Sequence, residues 1–329
     1  MTDESKPAPP SDFDFRVASK TSTNTFVQKR CPELRPLVEQ GVLLVISRPE
    51  GYVERRKDGY QEPEHIVLVG TAHVSQKSAD AVTEVVQALQ PDSVVVELCR
   101  SRSAVLQGDP AAEGEAHDRE QHGPDSAASL PTQQQPQKPN PLGLSGGNLG
   151  EALMRSVRLG GGTQVLIRAI MAGQVKKATA SMGLATGAEM QAARAAAEEV
   201  GANIVLGDRP IEMTLQRAWR ALTWQQKARL GWEGLKLAAS NLQVDEETVE
   251  SLKDDNMAAT FEATLSREFP KLAGPLLHER DAYLAWCLRR SKAVNHASVV
   301  VGVMGFGHLR GVTYHLLQDG QQLRFKDLW

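Results

Sequence analysis

Cysteine is scarce: Cys31, Cys99 and Cys287 are the only three in 329 residues, and no two fall in CxxC spacing. That excludes a disulfide framework and a zinc finger as the basis of the fold, and it suits a reducing compartment. No charge of one sign dominates, since 37 basic and 40 acidic residues leave a net charge of −3. With no basic cluster interleaved with aromatic residues, no nucleic-acid partner is expected. Long apolar runs are missing as well. The best, residues 165–173, carries Arg168 and falls well short of the roughly 20 apolar residues that span a bilayer, so no transmembrane segment is expected. The N-terminus, with Asp3, Glu4 and three prolines by position 10, lacks the apolar core of a signal peptide and is too acidic for a typical transit peptide. Residues 1–38 are expected to form a disordered or loosely ordered segment, and the expected location is the cytoplasm.

What the chain does contain is organised around IVLVGTAHVS, residues 66–75. Ile66 to Val69 is a β-branched apolar run stopped by Gly70, which reads as a strand buried on both faces of a mostly parallel sheet. Ser75 or Ser78 can cap a following helix, whose Val82, Val85, Val86 and Leu89 lie on one face. The same plan returns at Val94–Glu97, at Ile204–Arg209, and at Val299–Val303 leading to Gly305 and His308. Ligands of open α/β sheets bind beyond the carboxyl ends of the strands. His73, Glu97, Asp208, Arg209 and His308 are therefore expected to converge, although they lie far apart in sequence.

Residues 39–329 read as one α/β domain, entered through a strand at Val42–Ile46 and a hairpin over Gly51–Glu62. Within it, residues 107–150 are rich in Gly, Pro, Gln, Asp and Ser with almost no large apolar side chain; such a segment cannot offset its ordering entropy and is expected to be a disordered insertion. Replacing residues 110–145 with a short Gly/Ser linker is expected to leave the melting temperature nearly unchanged, because loop length costs only logarithmically. A large fall in melting temperature would show the insertion to be docked. Residues 151–292 have helical spacing, interrupted by the strand near Ile204, and Leu316–Phe325 reads as a closing hairpin around Asp319-Gly320.

Six stretches carry a family resemblance in chain order: Gly70–His73, Val96–Arg102, Gly187–Glu189, Leu206–Arg217, Glu279–Asp281 and Gly305–Leu309. Together, over roughly residues 64–315, they resemble the TraB domain family, which includes the pheromone-shutdown protein and is related to the GumN and Tiki proteins. The resemblance implies a Tiki- or erythromycin-esterase-like α/β fold with a large inserted helical block. It also implies a metal site built from two GxxH motifs and a glutamate, here His73, His308 and Glu97. For many eukaryotic relatives it further implies association with mitochondria, so peripheral attachment at the mitochondrial outer membrane, with a protein partner at that surface, is the alternative to a free cytoplasmic state.

The residue types point the same way. Two imidazoles and a carboxylate are the first ligands of many catalytic metal sites, whose open positions make bound water acidic enough to attack a carbonyl. Glycine before each histidine lets the backbone turn tightly at a strand end, which marks Gly70 and Gly305. A buried Glu97 also has a structural explanation, as the counter-charge of Arg100 or Arg102. Glu189 fits a capping box with Thr186, and Asp208 fits a helix N-cap before Arg209-Pro210. Arg209 is a permanently charged fork suited to a carboxylate or phosphate. Glu279 and Arg280 suit the oriented partners that ligands need. The expected function is a metal-dependent hydrolase, peptidase-like, acting on a peptide or small molecule. His73 and His308 would hold Mn²⁺, Co²⁺ or Zn²⁺, with Glu97 either a further ligand or the general base, while Arg209 or Arg280 stabilises the oxyanion. The competing expectation is a non-catalytic adaptor with the same pocket.

Overall fold

The computed structural model describes residues 8–52, 57–72, 76–107, 187–228, 270–318 and 328. Among them five strands form one sheet: β1 (Leu43–Ser47), β2 (His65–Thr71), β3 (Ser93–Val96), β4 (Asn203–Leu206) and β5 (Val299–Gly305). Their order is β1-β2-β5-β3-β4. β1 pairs antiparallel with β2, and every other pairing is parallel. This is the α/β class with a mostly parallel sheet that the apolar runs implied. Val67, Leu68, Val69, Val94, Val95, Val96, Val300, Val301 and Val303 are fully buried, which is why these strands show no polar alternation.

Successive side chains of a strand point to opposite faces, and two cores result. On one face α3 (Gln76–Leu89) and α4 (Ala188–Val200), with Phe26, Leu34 and Leu37 from the N-terminal segment, cover Val67, Val69, Val94, Val96, Val301 and Val303. On the other, α7 (Glu279–Arg290) and α8 (Phe306–Leu317) cover Leu68, Val95, Val300 and Met304. The exit from β2 is tied down by Ser78, whose hydroxyl accepts a hydrogen bond from Ala72 N at 3.1 Å. Gly201, at φ 74°, ends α4 in the left-handed conformation that favours glycine after a helix.

The N-terminal segment departs from expectation. In place of a loose 1–38, Phe15–Arg30 forms α1 and Arg35–Glu39 forms α2. Asp14 caps α1 by accepting from Arg16 N and Val17 N. The polar run SKTSTNT conceals why the helix is held: Thr23 Oγ1 accepts from Val45 N of β1 at 2.9 Å, while Phe26 and Val27 bury beside it. At the other end, Leu316 and Leu317 belong to α8 and not to a closing hairpin; residues 319–327 lie outside the described residues. So do the insertion beyond Gln107 and much of the 151–292 block, of which α4, α5 (Ile211–Ala221), α6 (Pro270–Ala273) and α7 are described. No helix among the described residues is long and apolar enough to cross a membrane.

Candidate functional site

Sheet register brings the ends of four strands to one edge. Thr71 of β2 pairs with Gly305 of β5, and Val96 of β3 pairs with both Val303 and Leu206. Glu97, Asp208-Arg209 and Gly305–His308 therefore leave neighbouring strands side by side. Over this edge lies the start of α7. It is preceded by a π-helical turn, Gly274–His278, in which Glu279 N bonds Gly274 O; such turns are rare and concentrate at functional sites. Consecutive helical side chains diverge by about 100°, so Glu279, Arg280 and Asp281 fan out to three different partners.

Arg280 takes the centre. Its Nε donates to Asp208 Oδ1 at 3.1 Å and its Nη2 to Asp208 Oδ2 at 2.8 Å. The same Nη2 donates to Glu97 Oε1 at 2.8 Å. Glu97 Oε1 also lies 3.0 Å from His308 Nε2, while Oε2 accepts from Gly305 N at 2.8 Å. Behind the imidazole, Asp281 Oδ1 is 2.5 Å from Nδ1. At the far end Arg102 Nη2 donates to Asp208 Oδ2 at 2.9 Å. The result is an alternating row of three cations and three carboxylates: Arg102, Asp208, Arg280, Glu97, His308, Asp281.

The row sets its own protonation. Burial alone would lower the pKa of His308, but the charges of Glu97 and Asp281 prevail over it and over Arg280, and raise it to about 10. Burial likewise opposes the charge on Arg280, and Asp208 and Glu97 outweigh it, so its pKa is raised. His308 is thus an imidazolium held at both nitrogens in the metal-free protein.

A second buried cluster sits beside the first. Arg209, whose side chain is 0 % exposed, donates from Nη1 to Glu279 Oε2 at 2.6 Å, from Nε to Thr214 Oγ1 at 3.1 Å and from Nη2 to Pro275 O at 2.9 Å. Arg217 grips the same carboxylate through Nε at 2.6 Å and Nη2 at 3.0 Å. Burial would raise the pKa of Glu279, yet hydrogen bonds from Arg217 and Arg209 bring it below the usual carboxylate range.

These positions sort the sequence candidates. Glu97, Asp208, Arg280, Gly305 and His308 come together; His73 lies outside the described residues, two positions beyond the end of β2. Arg209 and Glu279 form the separate buried pair, and with its Nε, Nη1 and Nη2 all engaged Arg209 is tied to the architecture and not to an oxyanion. Glu97 is neutralised by Arg280 and His308 instead of Arg100, which is exposed, or Arg102, which serves Asp208. Asp208 is not an N-cap: the cap of α5 is Pro210 with no side-chain bond, and the carboxylate is drawn inward by Arg280 and Arg102. Glu189 is buried in the first turn of α4, whose N-cap is Gly187; Thr186, its expected capping partner, lies outside the described residues. Gly70 makes room for packing, since a Cβ there would lie 2.7 Å from Leu309 Cδ1 and from the Phe306 ring of α8. Gly305 contributes its backbone N–H to Glu97. Sequence reasoning missed Asp281 as the partner of His308, and Arg217. For Asp281 the signal was present: three consecutive charges opening a helix whose next residues, Ala282, Tyr283, Leu284 and Ala285, are all apolar or aromatic and buried. Among the described residues no group of three or more His, Cys, Asp or Glu side chains is arranged to hold a metal ion.

The chain has relatives. The family model for the TraB/PrgY/gumN family matches residues 57–132 and 152–322. The human TraB domain-containing protein is 31 % identical over 268 residues, covering 77 % of this chain and 62 % of its own length. Its bovine counterpart is 30 % identical over 275 residues, 79 % of this chain and 64 % of its own. An uncharacterized protein of Methanocaldococcus jannaschii is 26 % identical over 265 residues, 80 % of this chain and 56 % of its own. The chain thus spans less than two thirds of the length of these relatives. The matched segments contain every residue of the charged row and of the buried arginine pair, and on that match the chain belongs to the TraB/PrgY/gumN family.

Proposed function

We propose that the strand-end site is a divalent-metal centre of a hydrolase, with His308 and Glu97 as ligands, His73 as the third, and a peptide or small molecule as substrate. The observation that carries this reading is the 3.0 Å approach of His308 Nε2 to Glu97 Oε1, with Asp281 behind Nδ1. Two ligand atoms about 2.1 Å from one ion, subtending 90–110°, stand about 3.0–3.4 Å apart, so the pair fits an ion in place of the shared proton. A carboxylate behind a ligating histidine is the usual support of such a ligand. The chain has His73 only two residues after Thr71, which is paired with Gly305, and two residues span at most about 7 Å.

A bound Mn²⁺, Co²⁺ or Zn²⁺ would supply Lewis acidity toward a carbonyl or phosphoryl oxygen. The protein's own groups do the rest. Asp281 holds the ring of His308, Gly305 N holds the second oxygen of Glu97, and Asp208 takes Nε and Nη2 of Arg280. Nη1 of Arg280 is then the donor left for negative charge developing on a substrate oxygen. A non-catalytic adaptor is the second reading. It is favoured by the charge balance itself, because three cations neutralise three carboxylates without any metal.

Purified protein is expected to bind about one equivalent of Mn²⁺, Co²⁺ or Zn²⁺ by calorimetry and elemental analysis. The double variant His73→Ala/His308→Ala should lose that ion with its far-UV circular dichroism intact. Metal retained by the double variant would place the centre elsewhere, and a wild type that binds none would leave the adaptor.

A further inference from the structure

We infer that Asp281 and Gly311 act as a positioning pair for the His308 ring: the carboxylate decides which ring nitrogen faces Glu97, and the missing side chain at 311 admits that carboxylate. The consequence for ligation rests on the metal reading above, whereas the ring lock stands without it.

His308 and Gly311 are three residues apart on α8, so they share a face one turn apart. Asp281 enters between them from α7, buried, with Oδ1 2.5 Å from His308 Nδ1. A Cβ built on Gly311 would overlap Asp281 Oδ2 and stand 2.5 Å from its Cγ and 2.9 Å from its Cβ. Three atoms of the aspartate are obstructed, including the one next to its backbone, so rotation of the carboxylate alone does not relieve the clash. Glycine is otherwise a poor choice inside a helix, and Gly311 is not among the positive-φ residues. Space for Asp281 is therefore the reason for glycine at this position. With Nδ1 committed to Asp281, Nε2 is the ring atom left for Glu97 and for an ion.

The test uses the metal-free full chain with ¹⁵N-labelled histidine. A downfield Nδ1–H proton resonance of His308 is expected in the wild type and in Glu97→Gln, and absent in Asp281→Ala and Gly311→Ala. Zn²⁺ affinity should fall about 10–100-fold in either of the latter two. In the Asp281→Ala background, Gly311→Ala should cost nothing more, because the carboxylate it displaces is gone. A Gly311→Ala protein with the wild-type resonance, or an equal loss from Gly311→Ala with and without Asp281, would overturn the inference. If Gly311→Ala does not fold, the Asp281→Ala/Gly311→Ala double variant must fold for the pairing to stand; failure of both overturns it. If the wild type binds no metal, the hydrolase reading falls while the proton resonance still decides the ring lock.

Discussion

Replacing Glu279 with glutamine is expected to cost about 3–5 kcal/mol of folding stability, the usual loss when one partner of a buried ion pair is removed. Glutamine preserves the shape and one acceptor, but it turns an amide NH₂ toward guanidinium donors and leaves Arg209 buried with a full charge. Arg209 cannot escape by deprotonating at ordinary pH, nor can it swing to solvent, because Thr214 and Pro275 O hold its remaining donors. Arg217 provides the control. Its side chain is 33 % exposed, so Arg217→Met should cost only about 1 kcal/mol, within the range of a partly solvated pair. Urea unfolding of the three proteins measures both numbers. An Glu279→Gln variant within 1 kcal/mol of wild type would mean that Arg209 finds another counter-charge and that the pair does not anchor α7. The carboxylate also has a pH signature: its pKa is depressed, so its contribution is present above about 4.3 and is lost as pH falls through the lower folded value.

That anchoring explains why two charge clusters lie side by side. The pair of Arg209 and Glu279 fixes the first residue of α7, and the next two residues are thereby aimed at Asp208, Glu97 and His308. A site that needs atoms placed to a fraction of an ångström has to rest on side chains that are themselves locked. The helical block, which reaches this edge of the sheet through α7, thus supplies orientation as well as cover.

Much of this was legible in the sequence, and the reasons are specific. The strands were visible because burial on both faces leaves nothing but apolar residues in Ile66–Val69, Val94–Val96 and Val299–Val303. The strand-end positions of Glu97, Asp208 and His308 followed, since in parallel sheets those ends meet. Partners were not legible. Glu97 was matched with nearby Arg100 or Arg102, but the charge that meets it comes from Arg280, 183 residues away; sequence proximity says little about which buried charges pair across a sheet edge. Arg209 looked like a ligand-binding fork because a free guanidinium at a strand end is costly, and the carboxylate that absorbs it lies 70 residues on. Asp281 was hidden because helical periodicity shows that one of three adjacent charges faces inward, whereas here Glu279 and Asp281 are buried, Arg280 is half-buried, and all three find different partners. The α1 helix was hidden by its polar composition, which the bonds from Val45 N to Thr23 and from Ser47 N to Ser22 make sense of.

Raising the pH from 6.5 to 10 is expected to weaken the metal-free protein by several kcal/mol through His308. Its folded pKa is raised to about 10, against about 6.5 for an unfolded histidine. The stabilisation is therefore fully present below pH 6.5 and is lost as pH rises through 10, and a gap of that size is worth about 4–5 kcal/mol. The groups facing the ring are Glu97 from the end of β3 and Asp281 and Arg280 from α7; the two carboxylates raise its pKa and the arginine opposes them. Cys31 and Cys287, pushed up to about 11 and about 12 by burial, add a similar decline only above the pH at which an unfolded thiol ionises, about 8.5. His308→Gln separates the two. Urea midpoints taken between pH 6 and 8.5 should fall steadily for the wild type and stay nearly level for the variant. Saturating Zn²⁺ should level the wild-type curve as well, because an ion that replaces the Nε2 proton removes the group that titrates. Parallel curves for wild type and His308→Gln would show that the imidazole is not held as a cation between Glu97 and Asp281.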